Sequence, residues 1–161
     1  MNKKKQIADF GQKLMTLDDI EQTSTLIANE AKMLLNSERC SIFIADEEDG
    51  ILWTKLSDGI GRIVISLSSG IVGDTYMRAI PQIVNDPYND PRFLSNIDKK
   101  SGFTTKNIIT VPIFNSKRKV MGIIQLLNKS RTDFDEKDLD TLTFFANYVS
   151  GSLELALLKS K

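Results

Sequence analysis

The sequence predicts an α+β fold, a central antiparallel sheet of about six strands with helices on both faces and long N- and C-terminal helices. Three observations predict it. Near both termini apolar residues recur at spacings of three and four, the mark of amphipathic helices. The middle of the chain instead carries short runs rich in β-branched and aromatic residues, several of them alternating with polar ones. Turn-forming Gly, Asn, Asp and Ser divide these runs.

The elements follow in order. Ile7, Phe10, Leu14 and Leu17 define one face of a helix over 3–16. A second helix over 18–36 has Ile20, Ile27, Ala31, Leu34 and Leu35 on its apolar side, with Thr16 and Asp19 at capping-box spacing before it. Cys40 to Asp46 alternates and reads as a strand. Glu47-Glu48-Asp49-Gly50 turns into a second strand, Ile51 to Leu56. After Ser57-Asp58-Gly59-Ile60-Gly61, a third strand from Arg62 to Leu67 sets Ile63 and Ile65 on one face. Ser68-Ser69-Gly70 leads into a short helix through Met77. Pro81 to Val84 reads as an edge strand, since proline cannot donate to a central ladder.

The stretch Asn85-Asp86-Pro87-Tyr88-Asn89-Asp90-Pro91 repeats an Asn-Asp-Pro turn pattern, and the polar residues 92–106 are long for a plain loop. Ile108 to Phe114 and Val120 to Leu127 are near-continuous apolar runs, expected of central strands covered on both faces. Gln125 is the polar exception; within such a run it is expected as a buried amide with its donors and acceptor satisfied. The last helix covers about 135–159. Asp135 fits its N-cap, Asp138 bonds back from N3, and Phe134 and Leu139 fall at the hydrophobic-staple positions. Leu139, Leu142, Ala146, Val149, Leu153 and Ala156 form a coiled-coil-like seam suited to a partner helix, with a second stripe through Phe145, Tyr148 and Leu155.

Composition narrows the function. A chain of 161 residues suits one domain, and 41% hydrophobic residues suffice for a core. The 21 basic residues balance 21 acidic ones, which argues against nucleic acid as partner. No apolar run is long enough to span a bilayer, and no signal peptide is evident. The single cysteine, Cys40, fits a reducing compartment, so a cytoplasmic location is expected. The absence of histidine removes His-ligated haem or zinc and the Ser-His-Asp and Cys-His arrangements. No phosphate-loop motif or metal-ligand cluster appears; the chain reads as a binding module rather than an enzyme, with no required cofactor.

An ordered set of segments carries a family resemblance. It runs from Glu38-Arg39-Cys40-Ser41-Ile42-Phe43-Ile44-Ala45-Asp46 to Gly70-Ile71-Val72-Gly73, then Asn85-Asp86-Pro87 with Asp90-Pro91-Arg92-Phe93. Asp98 to Ile108, Val111-Pro112-Ile113, Gly122-Ile123-Ile124-Gln125-Leu126-Leu127-Asn128-Lys129, and Phe134 with Asp138 complete it. The set resembles the GAF domain, most closely the GAF domains of cyclic-nucleotide phosphodiesterases and cyanobacterial-type adenylyl cyclases. The resemblance spans residues 20 to 157 and implies one GAF-like domain over 1–161. Residues 1–17 would form an N-terminal dimer or linker helix, 18–134 the core and 135–161 a C-terminal signalling helix.

By position, the resemblance implies a ligand pocket formed by Ser41, Asp58, Ile71, Val72, Asp98, Ser101, Thr105 and Gln125, with residues 85–106 as its lid. Ser41, Asp58 and Gln125 would meet a purine edge, and Ser101 and Thr105 a ribose or phosphate. The helix start at Ile71 and Val72 would favour an anion. Asn128, Lys129, Phe134 and Asp138 match a motif expected to brace the site, Lys129 pairing with Asp138; Asp138 as an N3 cap is the reading from the residues themselves.

The implied function is a regulatory sensor for cyclic AMP, cyclic GMP or a purine-like ligand. It would act as a homodimer through its terminal helices on an output domain. The sequence departs from the family at three positions: Ser57 replaces a bulky Phe, Leu139 a Glu, and Gln125 stands where an acid can occur. The missing Phe and the replaced Glu favour an alternative, a dimerisation module with a vestigial pocket. Bilin attachment, haem binding and methionine-sulfoxide reduction, known in other branches, need Cys or His residues this chain lacks at the required places.

Overall fold

The computed structural model describes residues 2–17, 19–54 and 63–160. Among them the chain forms helices α1 (Lys3–Leu14), α2 (Ile20–Leu34), α3 (Gly70–Arg78), α4 (Ser95–Ser101) and α5 (Glu136–Lys159). Its strands are β1 (Ser37–Asp46), β2 (Ile51–Trp53), β3 (Val64–Ser66), β4 (Gln82–Val84), β5 (Ile108–Phe114) and β6 (Val120–Lys129). They make a six-stranded sheet in the order β3-β2-β1-β6-β5-β4, and every neighbouring pair is antiparallel. The α+β architecture expected from the sequence is therefore present.

The two-residue period of the pleat sorts the side chains. Cys40, Ile42 and Ile44 of β1, Ile109, Val111 and Ile113 of β5, and Ile124 and Leu126 of β6 share one face with the apolar sides of α1, α2 and α5. That is the main core. The opposite face carries two smaller apolar clusters under α3 and the segment after it. Phe43, Leu52, Val72 and Ile123 form one; Ile71, Val84, Ile108 and Leu127 form the other.

One capping assignment differs from expectation. Helix α2 is capped by Asp19 itself, whose Oδ2 accepts from the Gln22 N–H at 2.9 Å, while the Thr16 hydroxyl donates to Lys13 O at the end of α1. The long loop after β4 contains a single 3-10 turn, Pro87–Asn89, and then α4. Helix α5 begins as the sequence indicates: Asp135 accepts from Asp138 N–H, and the Asp138 carboxylate accepts from Asp135 N–H, closing the capping box.

The seam expected to face a partner helix does not. Leu142, Ala146, Val149, Leu153 and Ala156 are all buried in the domain's own core. Phe145, assigned to the second stripe, is buried with them and packs against Phe10 at 5.6 Å. Heptad spacing specifies an apolar face but not what covers it. The side of α5 left open carries Phe144, Tyr148, Leu155 and Leu158.

Candidate functional site

The face of the sheet opposite α5 carries a row of polar side chains at one level. Gln82 of β4 pairs with Thr110 of β5, Thr110 with Gln125 of β6, and Gln125 with Ser41 of β1. The row separates the two apolar clusters, and above it lies a pocket. Arg39, Ser41 and Phe43 of β1 form its floor with Gln125, Leu127 and Ile108. Ile63 and Ile65 flank it; Gly70, Ile71 and Val72 of the first turn of α3 roof one side, and Phe93, Leu94, Ile97, Asp98 and Thr105 the other. It encloses about 60 Å3, within a wider recess of about 640 Å3 that opens to solvent.

Close backbone approach sets the first turn of α3. A Cβ on Gly73 would lie 2.6 Å from the Ser68 carbonyl carbon and 2.9 Å from Leu67 O, so only glycine fits there. Ser69, at the N-cap, makes no side-chain cap bond, which leaves the first N–H groups of α3 without the usual acceptor. Thr75 anchors the helix to the sheet, its buried hydroxyl lying 2.6 Å from that of Thr110.

Asp98 organises the lid. It is buried, and its Oδ2 accepts from the Tyr88 hydroxyl at 2.5 Å and from the Thr105 N–H at 2.9 Å. Donation to this carboxylate, with desolvation, raises the Tyr88 hydroxyl above the ordinary phenol pKa. Arg92 ties the same segment to the fold. Its Nε and Nη2 meet both oxygens of Asp90 at 3.0 and 2.7 Å, while Nη1 reaches Asp74 Oδ2 at 2.7 Å and Gln82 Oε1 at 2.6 Å. The Arg92 hydrogen bond holds the Asp90 carboxyl below its ordinary value. For Asp74, burial acts upward, but hydrogen bonds from Gln82, Arg92 and Arg78 outweigh it and the net shift is downward.

The bracing residues act through the backbone. Asn128, with φ 63°, accepts from Lys106 N–H at 2.6 Å and donates to Thr104 O at 2.9 Å, fixing the segment that presents Thr105. Lys129 Nζ lies 2.6 Å from Asp138 Oδ2. Thus Asp138 serves both as N3 cap and as the lysine's partner. Phe134 is buried, and its backbone N–H and C=O pair with the Asn85 carboxamide, both at 3.1 Å. The start of the lid is therefore tied to the start of α5.

Of the pocket residues named from the sequence, Ser41, Ile71, Val72, Asp98, Thr105 and Gln125 line one cavity. Gln125 is only half-buried and, among the described residues, its amide has no hydrogen-bond partner, unlike the satisfied buried amide expected. Ser101 stands apart: it is exposed in the last turn of α4, lines an adjoining surface cleft, and its hydroxyl bonds Asp98 O and Phe103 N–H. Asp58 lies outside the described residues, as does Ser57. Sequence reasoning gave no role to Arg39, although its two-residue spacing from Ser41 puts it on the pocket face. Tyr88, Asn85 and Arg92 were also given no role in the site; the partner of Asn85, Phe134, is distant in sequence.

Comparison with known proteins gives concordant results. The sequence profile of the GAF domain matches residues 19–153. The chain is 28% identical over 149 residues to the probable 3',5'-cyclic phosphodiesterase pde-5 of Caenorhabditis elegans, covering 84% of this chain but only 20% of that protein. Among solved structures, the GAF domain of a phosphoenolpyruvate-protein phosphotransferase from Coxiella burnetii superposes with a TM-score of 0.86 at 19% identity, over 99% of this chain and 97% of the other. The free methionine-R-sulfoxide reductase of Neisseria meningitidis gives 0.76 at 15% identity, over 95% and 89% of the two chains. At these identities the structural likeness establishes the fold.

Proposed function

Because this chain belongs to the GAF domain family, we propose that its pocket binds a cyclic nucleotide or a similar purine-like ligand and that binding is passed to the terminal helices. The observation that carries this reading is the pocket's mixture of surfaces. A flat ligand would lie between Phe43, Ile65 and Val72, while Ser41, Gln125, Asp98 and Thr105 offer donors and acceptors around it. The similarity to a probable 3',5'-cyclic phosphodiesterase supports the choice of ligand class. The enclosed space is far below the roughly 300–1,000 Å3 of ordinary ligand sites. Loading therefore displaces the lid, residues 85–106, outward.

That displacement has a route outward. Asn85 at the base of the lid is bonded to Phe134, one residue before the N-cap of α5. A ligand that prefers the displaced lid would shift the setting of α5, and α1 packed against it, by its differential affinity for the two arrangements. The output would be a domain beyond this one or a second copy of the chain, in the cytoplasm. We assign no catalytic step to the pocket. The buried Cys40 sits on the far face of the sheet, in the main core, which does not suit thiol chemistry in the pocket.

Isothermal titration with cyclic AMP and cyclic GMP tests the proposal. Micromolar or tighter binding, lost in an Asp98→Ala, Thr105→Ala double variant, is expected. A second reading, a dimerisation module with a vestigial pocket, is favoured by the narrow cavity and by the open apolar side of α5. No heat from either nucleotide, together with a stable dimer, would establish that reading instead.

A further inference from the structure

Two residues that line the pocket each carry a buried polar atom that has no hydrogen-bond partner among the described residues: Arg39 Nη1 and Thr105 Oγ1. Thr105 is only 2% exposed. A buried donor left unpaired is costly, and a guanidinium N–H more so than a neutral one. The cost is not removed by an ion pair, because among the described residues no carboxylate pairs with Arg39. Its neighbour Glu38 is on the other side of the strand and reaches Asn128 at 3.2 Å instead.

The guanidinium is nonetheless held in place. It stacks on the Phe103 ring, its carbon 3.6 Å from the ring centroid. Stacking uses the face of the guanidinium and leaves its in-plane donors free. Phe103 and Thr105 belong to one short segment, fixed by Asn128 through Lys106 and Thr104. One end of the pocket therefore carries an oriented cationic donor and a free hydroxyl; the other end, around Phe43, Ile65 and Val72, is apolar.

We propose that Arg39 reads an anionic group of the ligand, with Thr105 donating to the same group, so that the pocket selects a small flat organic anion bearing a phosphate or carboxylate. This deepens the ligand-binding reading above and rests on it, but it does not depend on the ligand being a cyclic nucleotide. It adds to the pocket a residue that fixes the ligand's charge.

The test is isothermal titration of the full chain and of its Arg39→Met, Arg39→Lys and Thr105→Val variants. The probes are cyclic AMP, cyclic GMP, AMP, the neutral nucleosides adenosine and guanosine, and the aromatic carboxylates benzoate and indole-3-acetate. The expected result is binding of at least one anion by the wild-type chain, weakened roughly 10- to 100-fold by Arg39→Met and less by Thr105→Val. Binding of a neutral counterpart should change little. Thermal melting checks that Arg39→Met folds; if it does not, Arg39→Lys, which keeps stem and charge but loses the planar fork, should still weaken the anion several-fold.

The outcomes separate the two readings. Anion binding unchanged by both Arg39 variants overturns the inference and leaves the sensor reading standing. Carboxylate binding through Arg39, with no response to either cyclic nucleotide, overturns the cyclic-nucleotide reading and leaves this one standing. Neutral nucleosides bound as well as their phosphates, or no response to any anion, overturns it.

Discussion

Arg92 shows how much of the lid's position rests on one side chain. Its guanidinium makes four hydrogen bonds, to two carboxylates and an amide on three segments, with Asp90 held by both of its oxygens. Bidentate charge-assisted bonds of this kind are the strong ones. Both carboxyls have lowered folded-state pKa values, so each contributes stability that is complete above the ordinary value of 3.8 and is lost as pH falls through the lowered one. The wild-type chain is therefore expected to lose melting temperature below about pH 4. Arg92→Met should lower it at neutral pH and flatten that acid limb, as thermal melts between neutral pH and pH 3 would read. An acid limb of unchanged slope would show that other carboxylates carry it. Tyr76, by contrast, is raised to about 12 by desolvation and its bond to Glu47, and stays protonated throughout this range.

Helix α5 owes its start to Asp138. One carboxylate closes the capping box with Asp135 and also pairs with Lys129 on β6. Removing a cap of this kind costs about 1–2 kcal/mol. Here the loss is larger, because Lys129 is mostly buried and would be left unpaired. Asp138→Ala is expected to destabilise the domain by about 2–4 kcal/mol in urea titration, and Asp138→Asn by less. Equal losses from Asp135→Ala and Asp138→Ala would mean that the cap alone matters. Across the sheet, the Asn85 carboxamide ties the lid to the residue preceding this cap, so lid and helix start share one boundary.

In the molecule as a whole, the two faces of the sheet have different tasks. The α1–α2–α5 face is a continuous apolar core; the α3 face is interrupted by a polar row and a pocket. The outer side of α5 leaves Phe144, Tyr148, Leu155 and Leu158 between 44% and 60% exposed, with Phe144 stacked on Tyr148. Exposed apolar side chains grouped on one helix side suit an interaction surface, and pairing with a second copy is the expectation to test. Light scattering after gel filtration should give a dimer for the wild-type chain and a monomer for Tyr148→Lys, Leu155→Lys. A wild-type monomer at high micromolar concentration would remove dimerisation from the mechanism.

By itself, the sequence determined the fold class, the order of the strands and of the helices other than α4, and the capping box of α5. Each depends on local period or local chemistry: alternation for strands, three-and-four spacing for helices, and Asp135 with Asp138 three residues apart. Only the tertiary structure decided which stripe of α5 faces the core. Spacing makes a helix amphipathic, but Leu142 and Val149 were claimed by β5 and the neighbouring helices before any partner could meet them. The tertiary structure also decided that Arg39 Nη1, Thr105 Oγ1 and the Gln125 amide meet no partner among the described residues while all three residues line one pocket. A side chain's missing partner is a property of everything packed around it, and Arg39 is far from both other residues in sequence.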